Sequence, residues 1–151
     1  MSVLRPDSLK RRCAVLAAAF WWGCLGSIGG LVVPVLFRHL PTAALAGNTA
    51  AQLFSALTWV ALACGSALVL LLTWGAHDAW AGARRRHVLA LVLIGLLAAL
   101  CIEWVAAPHI LAREQLRFWH TLASGLFLLQ WLSTGAALWW LVPGGGVKTP
   151  S

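Results

Sequence analysis

Charge is what this chain has least of. Only 10% of its 151 residues are Asp, Glu, Lys or Arg, and four of them are acidic. Beside 61% hydrophobic residues and a mean hydropathy of +0.84, that is too little polar surface to keep a globule of this size in water, which excludes a soluble domain. Catalytic signatures are missing as well. There is no Gly-x-Ser-x-Gly, no paired-carboxylate motif, no His-Glu-x-x-His and no phosphate-binding loop, so the sequence gives no reason to expect an enzyme. Cys13, Cys24, Cys64 and Cys101 form no Cys-x-x-Cys and all fall in apolar runs, which argues against a disulfide framework or zinc knuckle and for small buried thiols. The net charge of +7 comes without aromatic–basic interleaving or a known nucleic-acid motif, so nucleic acid is not an expected partner.

What the chain does have is four long apolar runs, at about 13–37, 49–74, 87–107 and 118–142. A helix rises about 1.5 Å per residue, so about 20 apolar residues cross a hydrocarbon core of about 30 Å, and each run meets that length. Alternating barrel strands would be shorter and half polar. The expected fold is therefore all-α, a four-helix transmembrane bundle in one domain over 1–142, with the lipid bilayer as its first partner. Residues 143–151, with Pro143 and a Gly144-Gly145-Gly146 run, are expected to be a disordered tail. Short connections force up-down-up-down packing, with Pro41 and then Gly47-Asn48 expected to end the first outer loop and a second loop over 108–117.

The basic residues set an orientation. Arg5, Lys10, Arg11, Arg12, Arg84, Arg85, Arg86 and Lys148 fall on one side, against Arg38, Arg113 and Arg117 on the other. The positive-inside rule then puts both termini in the cytoplasm and the protein, multi-pass, in a bacterial inner membrane. The first apolar run is about twice a signal-peptide core and lacks an Ala-x-Ala exit, so it reads as an uncleaved helix.

Trp74, Trp80, Trp139 and Trp140 fall near one interface and Trp104 and Trp119 near the other, as amphipathic anchors do. Trp21, Trp22, Trp59 and Trp131 lie deeper, where they either pack the bundle or line a cavity. Gly23, Gly26 and Gly30 let another backbone approach helix one, either within the bundle or in a homo-oligomer. Pro34 should kink the outer end of the same helix.

Polar residues collect at the outer end. Glu103 and His120 fall at similar depth on neighbouring helices and are expected to pair, with Arg113 or Arg117 as alternative partners for Glu103. His39 and His109 lie at the same boundary with Arg38, while Gln52, Ser55 and Thr58 stripe helix two and Ser124 sits one turn below His120. Three readings compete: a structural polar network, a cation or metal pathway through Glu103, His39, His109 and His120, and a b-type haem. Haem needs two facing histidines, and His120 alone reads as lying inside a helix, so no cofactor is expected.

The residues also carry a likeness. Phe20-Trp21-Trp22-Gly23, Val33-Pro34-Val35-Leu36-Phe37, Leu40-Pro41, Ala46-Gly47 and Leu53-Phe54, followed by Pro108, Arg113, Phe118, His120 and Ser124, resemble the transmembrane protein 205-like family, whose bacterial members form the domain of unknown function 4149. Leu128 or Leu129 stands where that pattern would place a helix-four asparagine. The resemblance implies a four-helix membrane protein without an established activity, and its animal namesake is associated with tolerance of platinum drugs. It brings no catalytic residues. The expectation is a non-enzymatic accessory or interaction protein with a membrane-protein partner, and the alternative is a small transporter or metal- or drug-tolerance protein built on the outer polar cluster.

Overall fold

The structure, a computed structural model, describes residues 6–74 and 82–142. Every described element is helical: α1 (Pro6–Ser27), a π-helical segment π1 (Ile28–Val32), α2 (Val33–His39), α3 (Ala43–Thr73), α4 (Gly82–Cys101), a second π segment π2 (Ile102–Ala106), α5 (Ala107–Leu111) and α6 (Leu116–Leu141). Together they make four spans long and apolar enough to cross a membrane: Leu9–His39, Ala43–Thr73, Gly82–Leu111 and Leu116–Leu141. Span one packs on spans two and four, and span three on the same two, which closes a four-helix bundle. The expected tail at 143–151 and Arg5, Trp80 and Lys148 lie outside the described residues.

The helices run further than the loop signals predict. Gly47 and Asn48 do not cap span two but lie inside it, and Thr42 is the cap, its hydroxyl accepting the Leu45 N–H at 3.2 Å. The first connection is thereby reduced to Leu40, Pro41 and Thr42. The second is shorter too, because helix continues through Pro108 to Leu111 and the turn is 112–115. Arg113 and Gln115 close that turn at φ 57° and 38°, a left-handed conformation that non-glycine residues adopt at some cost. The physical reason for the extension is the solvent. Backbone groups near lipid have no water to bond, so a proline or Gly-Asn pair that would end a helix in water is carried inside one.

Spans one and three carry the same device. Pro34 and Pro108 each lack an N–H and would clash with the carbonyl four residues back in a regular helix. In each case the turn before the proline widens: Val33 N–H bonds Ile28 C=O, and Ala107 N–H bonds Ile102 C=O, five residues back. The proline then sits in the first turn of the next α segment, where no N–H is required. The kink expected at Pro34 thus takes the form of a π turn, and Pro108 has its counterpart.

The core combines Trp21, Leu25, Leu57, Ala61, Leu68, Leu72, Val88, Val92, Ala137 and Leu141, all buried. Close approach depends on two glycines above all. A Cβ at Gly65 would lie 2.5 Å from Leu96 Cδ2, and one at Gly29 would lie 2.5 Å from Phe127 Cε1. Of the three glycines expected to pack helix one, only Gly26 meets a neighbour, the Trp131 Nε1 at 3.3 Å from its would-be Cβ, while Gly23 and Gly30 face outward. Gly29 takes the inward role instead.

The deep tryptophans divide. Trp22 stacks on Trp131 with ring centroids 5.5 Å apart, Trp21 is fully buried, and Trp59 is 70% exposed on the outer face of span two, so it neither packs the core nor lines a cavity. Trp21 Nε1 has no acceptor among the described residues. The Cη2 end of the same ring neighbours a polar layer that pattern reading did not single out: Gln130, Ser133 and Thr134 are all buried, and Ser133 and Thr134 donate to the Gln130 carbonyl at 3.0 and 2.8 Å. Gly95 makes room for this layer, its would-be Cβ lying 3.1 Å from Trp21, 3.2 Å from Ser133 Oγ and 3.3 Å from Thr134 Oγ1.

Candidate functional site

Glu103 is an acidic residue within the π turn of span three. Ser55, on span two, donates its hydroxyl to Glu103 Oε1 at 2.9 Å and Oε2 at 3.0 Å, so a single hydrogen is shared between both carboxylate oxygens. Glu103 thus carries its carboxylate in a turn that widens to the five-residue bond from Ala107 N–H to the Ile102 carbonyl.

Two aromatics meet beside this pair. Phe54, beside Ser55, meets Phe127 edge to face at 5.3 Å, and Phe127 in turn lies over Gly29. Thr58, one turn further in, is buried and donates to the Phe54 carbonyl at 3.3 Å, which removes it from the site. Gln52, one turn outward from Ser55, is exposed.

The expected partner of Glu103 is not there. His120 is exposed on span four and its ring makes no hydrogen bond among the described residues, while Ser124 donates to the His120 carbonyl at 2.8 Å rather than to its ring. Arg113 and Arg117 are exposed and do not pair with Glu103 either. Depth along the axis places two residues at one height, but contact also needs the right rotation about each helix, and Ser55 rather than His120 has it.

A separate polar contact joins spans three and four. His109 Nδ1 lies 2.9 Å from Glu114 Oε2, and the His109 ring stacks on Trp119 with centroids 4.1 Å apart and planes 7° apart. Glu114 N–H also bonds the His109 carbonyl at 3.1 Å. Both side chains of this ion pair are well exposed, so its electrostatic worth is about 0–1 kcal/mol and its role is to hold the turn. Glu114 was not among the residues singled out from the sequence, although His109 and an acid five residues on across a turn was a readable signal. Trp119, expected as a lipid anchor, is instead the platform for His109.

His39 places Nδ1 3.0 Å from the Val35 carbonyl, one turn back in its own helix. His39, His87 and His109 all lie in helical segments, so His120 is not alone in that respect. Among the described residues no three His, Cys, Asp or Glu side chains come together as a metal ion requires, so the set Glu103, His39, His109 and His120 is not assembled into one centre. Arg117 lines an open surface groove of about 510 Å³ with Gln115, Leu116, Phe118 and Thr121 at the start of α6. Arg38 is exposed at the end of α2.

The site is thus a membrane-embedded serine–carboxylate pair at a helix distortion, flanked by a histidine-braced turn. A comparison with known proteins adds a family but no chemistry. No curated protein and no solved structure matches the chain. A family model described as Domain of unknown function (DUF4149) matches residues 16–118, more than half of the chain, which takes in most of span one and all of spans two and three, with both π turns, Ser55 and Glu103. The chain belongs to that family.

Proposed function

We propose that the protein is a non-enzymatic accessory protein of the bacterial inner membrane, with both termini in the cytoplasm, and that it docks another membrane protein through the outward face of span one. The observation that carries this reading is a stripe of small residues left outside the bundle. Gly23, Ser27, Gly30 and Pro34 recur every three or four residues, all are exposed, and a Cβ at Gly23 or Gly30 would meet nothing within 4 Å. Small residues in lipid permit close backbone approach and are the usual surface of helix association. Ser27 adds a polar contact point. Thr49, Thr73, Thr121 and Ser124 each donate to the carbonyl one turn back, whereas Ser27 makes no such bond and keeps its hydroxyl for a partner.

The test is photo-crosslinking in native membranes from probes at Gly23 and Ser27, with Leu93 on the outer face of span three as the comparison. A discrete heterologous adduct from span one and none from Leu93 is expected. Adducts to a second copy alone, or equal yields from both faces, would overturn the reading. The cytoplasmic orientation rests on charge asymmetry, which an alkaline phosphatase fusion at the C-terminus checks by remaining inactive.

A second reading has its own observation, the pairing of Glu103 with Ser55. An ionisable group within a span marks ion or proton pathways in many membrane proteins. On this reading Glu103→Gln abolishes a transport-dependent metal or drug tolerance while protein level stays constant.

A further inference from the structure

Span two turns a polar face away from the bundle. Between residues 48 and 66 its exposed positions are Asn48, Gln52, Ala56, Trp59, Ala63 and Ser66, which recur every three or four residues and so share one side of the helix. Asn48, Gln52 and Ser66 make no side-chain hydrogen bond among the described residues. Span three gives the contrast, for Leu93, Ile94, Leu97 and Val105 on its exposed side are all apolar.

Depth makes these polar groups expensive. Phe54 meets Phe127, which lies near the middle of α6 (Leu116–Leu141), so Phe54 marks the middle of the bundle. At about 1.5 Å per residue Gln52 stands about 3 Å from that level and Asn48 about 9 Å, both within the half-thickness of about 15 Å of a hydrocarbon core. A carboxamide that faces acyl chains there has no water to bond, and the Gln52 side chain is too short to reach the headgroups.

We infer that two copies of the chain associate through this face of span two, with Gln52 of each bonding Gln52 of the other near the bilayer midplane. The amide selects the occupant. Two copies inserted in the same sense are related by a two-fold axis along the membrane normal, which lays span two parallel to its own copy with like residues opposite. A carboxamide is donor and acceptor at once, so its own copy satisfies it across such an axis, where a like pair of charges would repel. Steps of three and four residues from Ala56 to Ser66 are those of a left-handed helix pair. Ala56 and Ala63 flank Trp59, so the large indole of one copy meets small side chains of the other. The face of span one is a different surface, and this inference does not depend on what docks there.

The full-length chain, labelled at its C-terminus with a donor or an acceptor dye, is reconstituted in vesicles of phosphatidylglycerol and phosphatidylethanolamine, and pairing is read by energy transfer across protein-to-lipid ratios. Pairing of the unaltered chain is expected. Hydrogen bonding between helices in lipid is worth a factor of about 5–30, so Gln52→Leu should raise the dissociation constant about tenfold. Gln52 is exposed, and this variant should unfold in detergent as the unaltered chain does. Ala63→Leu keeps the amide and blocks the close approach, so it should weaken pairing as well, whereas Leu93→Ala on span three should not. A photo-crosslinking probe at Trp59 in native membranes should give an adduct of twice the mass of the chain. Energy transfer at the level of random collision at every ratio, unchanged pairing in Gln52→Leu or Ala63→Leu, an equal loss in Leu93→Ala, or adducts from Trp59 to another protein alone would each overturn the inference.

Discussion

Spans one and three solve the same problem with different cargo. Each carries a proline near its far end, and each widens into a five-residue π turn that ends two residues before that proline. In span one the turn is Ile28-Gly29-Gly30-Leu31-Val32, with no polar side chain and none buried. In span three it is Ile102-Glu103-Trp104-Val105-Ala106, with Ala106 buried and Glu103 held by Ser55. The difference teaches that the distortion follows from proline in a membrane helix, whereas its use follows from the residues placed in it. In span one the glycines let Phe127 close in; in span three a carboxylate occupies the loosened turn.

The sharpest break of that comparison is steric and should give the largest effect. Gly29→Leu drives a side chain into Phe127, and overpacking of this kind costs about 1–3 kcal/mol or more where backbone has to move. Gly30→Leu, its neighbour in the same π turn, faces open space and should leave unfolding in detergent unchanged. Equal destabilisation by the two would show that span one does not pack as described. Gly30→Leu is also expected to weaken crosslinking from Ser27, because it fills the outward stripe without touching the bundle.

The second break concerns the cargo of span three. Ser55→Ala removes the hydroxyl that reaches both oxygens of Glu103, leaving a part-buried carboxylate with one fewer donor, at a cost of about 1–3 kcal/mol. Glu103→Gln retains an acceptor for Ser55 and should cost less. In a double-mutant cycle Ser55→Ala and Glu103→Leu should couple by about 0.5–3 kcal/mol, while His120→Ala and Glu103→Leu should add independently. Measurable coupling between Glu103 and His120 would restore the pair expected from depth alone.

That pair shows how far pattern reaches here. The four spans were legible because length and hydropathy are what the bilayer selects. Rotation about each helix axis was not legible. Span three is apolar nearly all round, so no polar face fixes which way Glu103 turns, and Ser55 was left in a stripe with Gln52 and Thr58 although only Ser55 reaches it. The same gap made Gly23 and Gly30 look like packing glycines when Gly26 and Gly29 are the ones that face in. Loop ends were misjudged for another reason, since the breaker rules for proline and Gly-Asn come from helices in water. The buried layer of Gln130, Ser133 and Thr134 was readable as polar residues three and four apart in an apolar run. It stands beside Leu128 and Leu129, where an asparagine was sought and not found.

The smallest expected effect separates proline from its consequences. In Pro34→Ala the chain regains an N–H, so a released carbonyl in the preceding turn can be bonded again, a gain of about 0.5–1.5 kcal/mol. Loss of the ring also frees the unfolded chain, which opposes that gain by about 0.4–1 kcal/mol. The net change in span one should lie within about 1 kcal/mol, because α2 beyond the turn has no buried residue whose seat would be disturbed. Span three differs at this point. If Pro108→Ala lets π2 close to a regular helix, one residue is drawn out of the turn and α5 rotates by about 100° against the rest of the span. His109 would then leave the face of Trp119 and the carboxylate of Glu114, and Glu103 would turn from Ser55. Pro108→Ala should therefore weaken amide-exchange protection across the 112–115 turn, while Pro34→Ala raises protection within 29–35 and changes little else. Identical exchange patterns around the two substitutions would mean that the π turns are kept by their surroundings and not by the prolines that follow them.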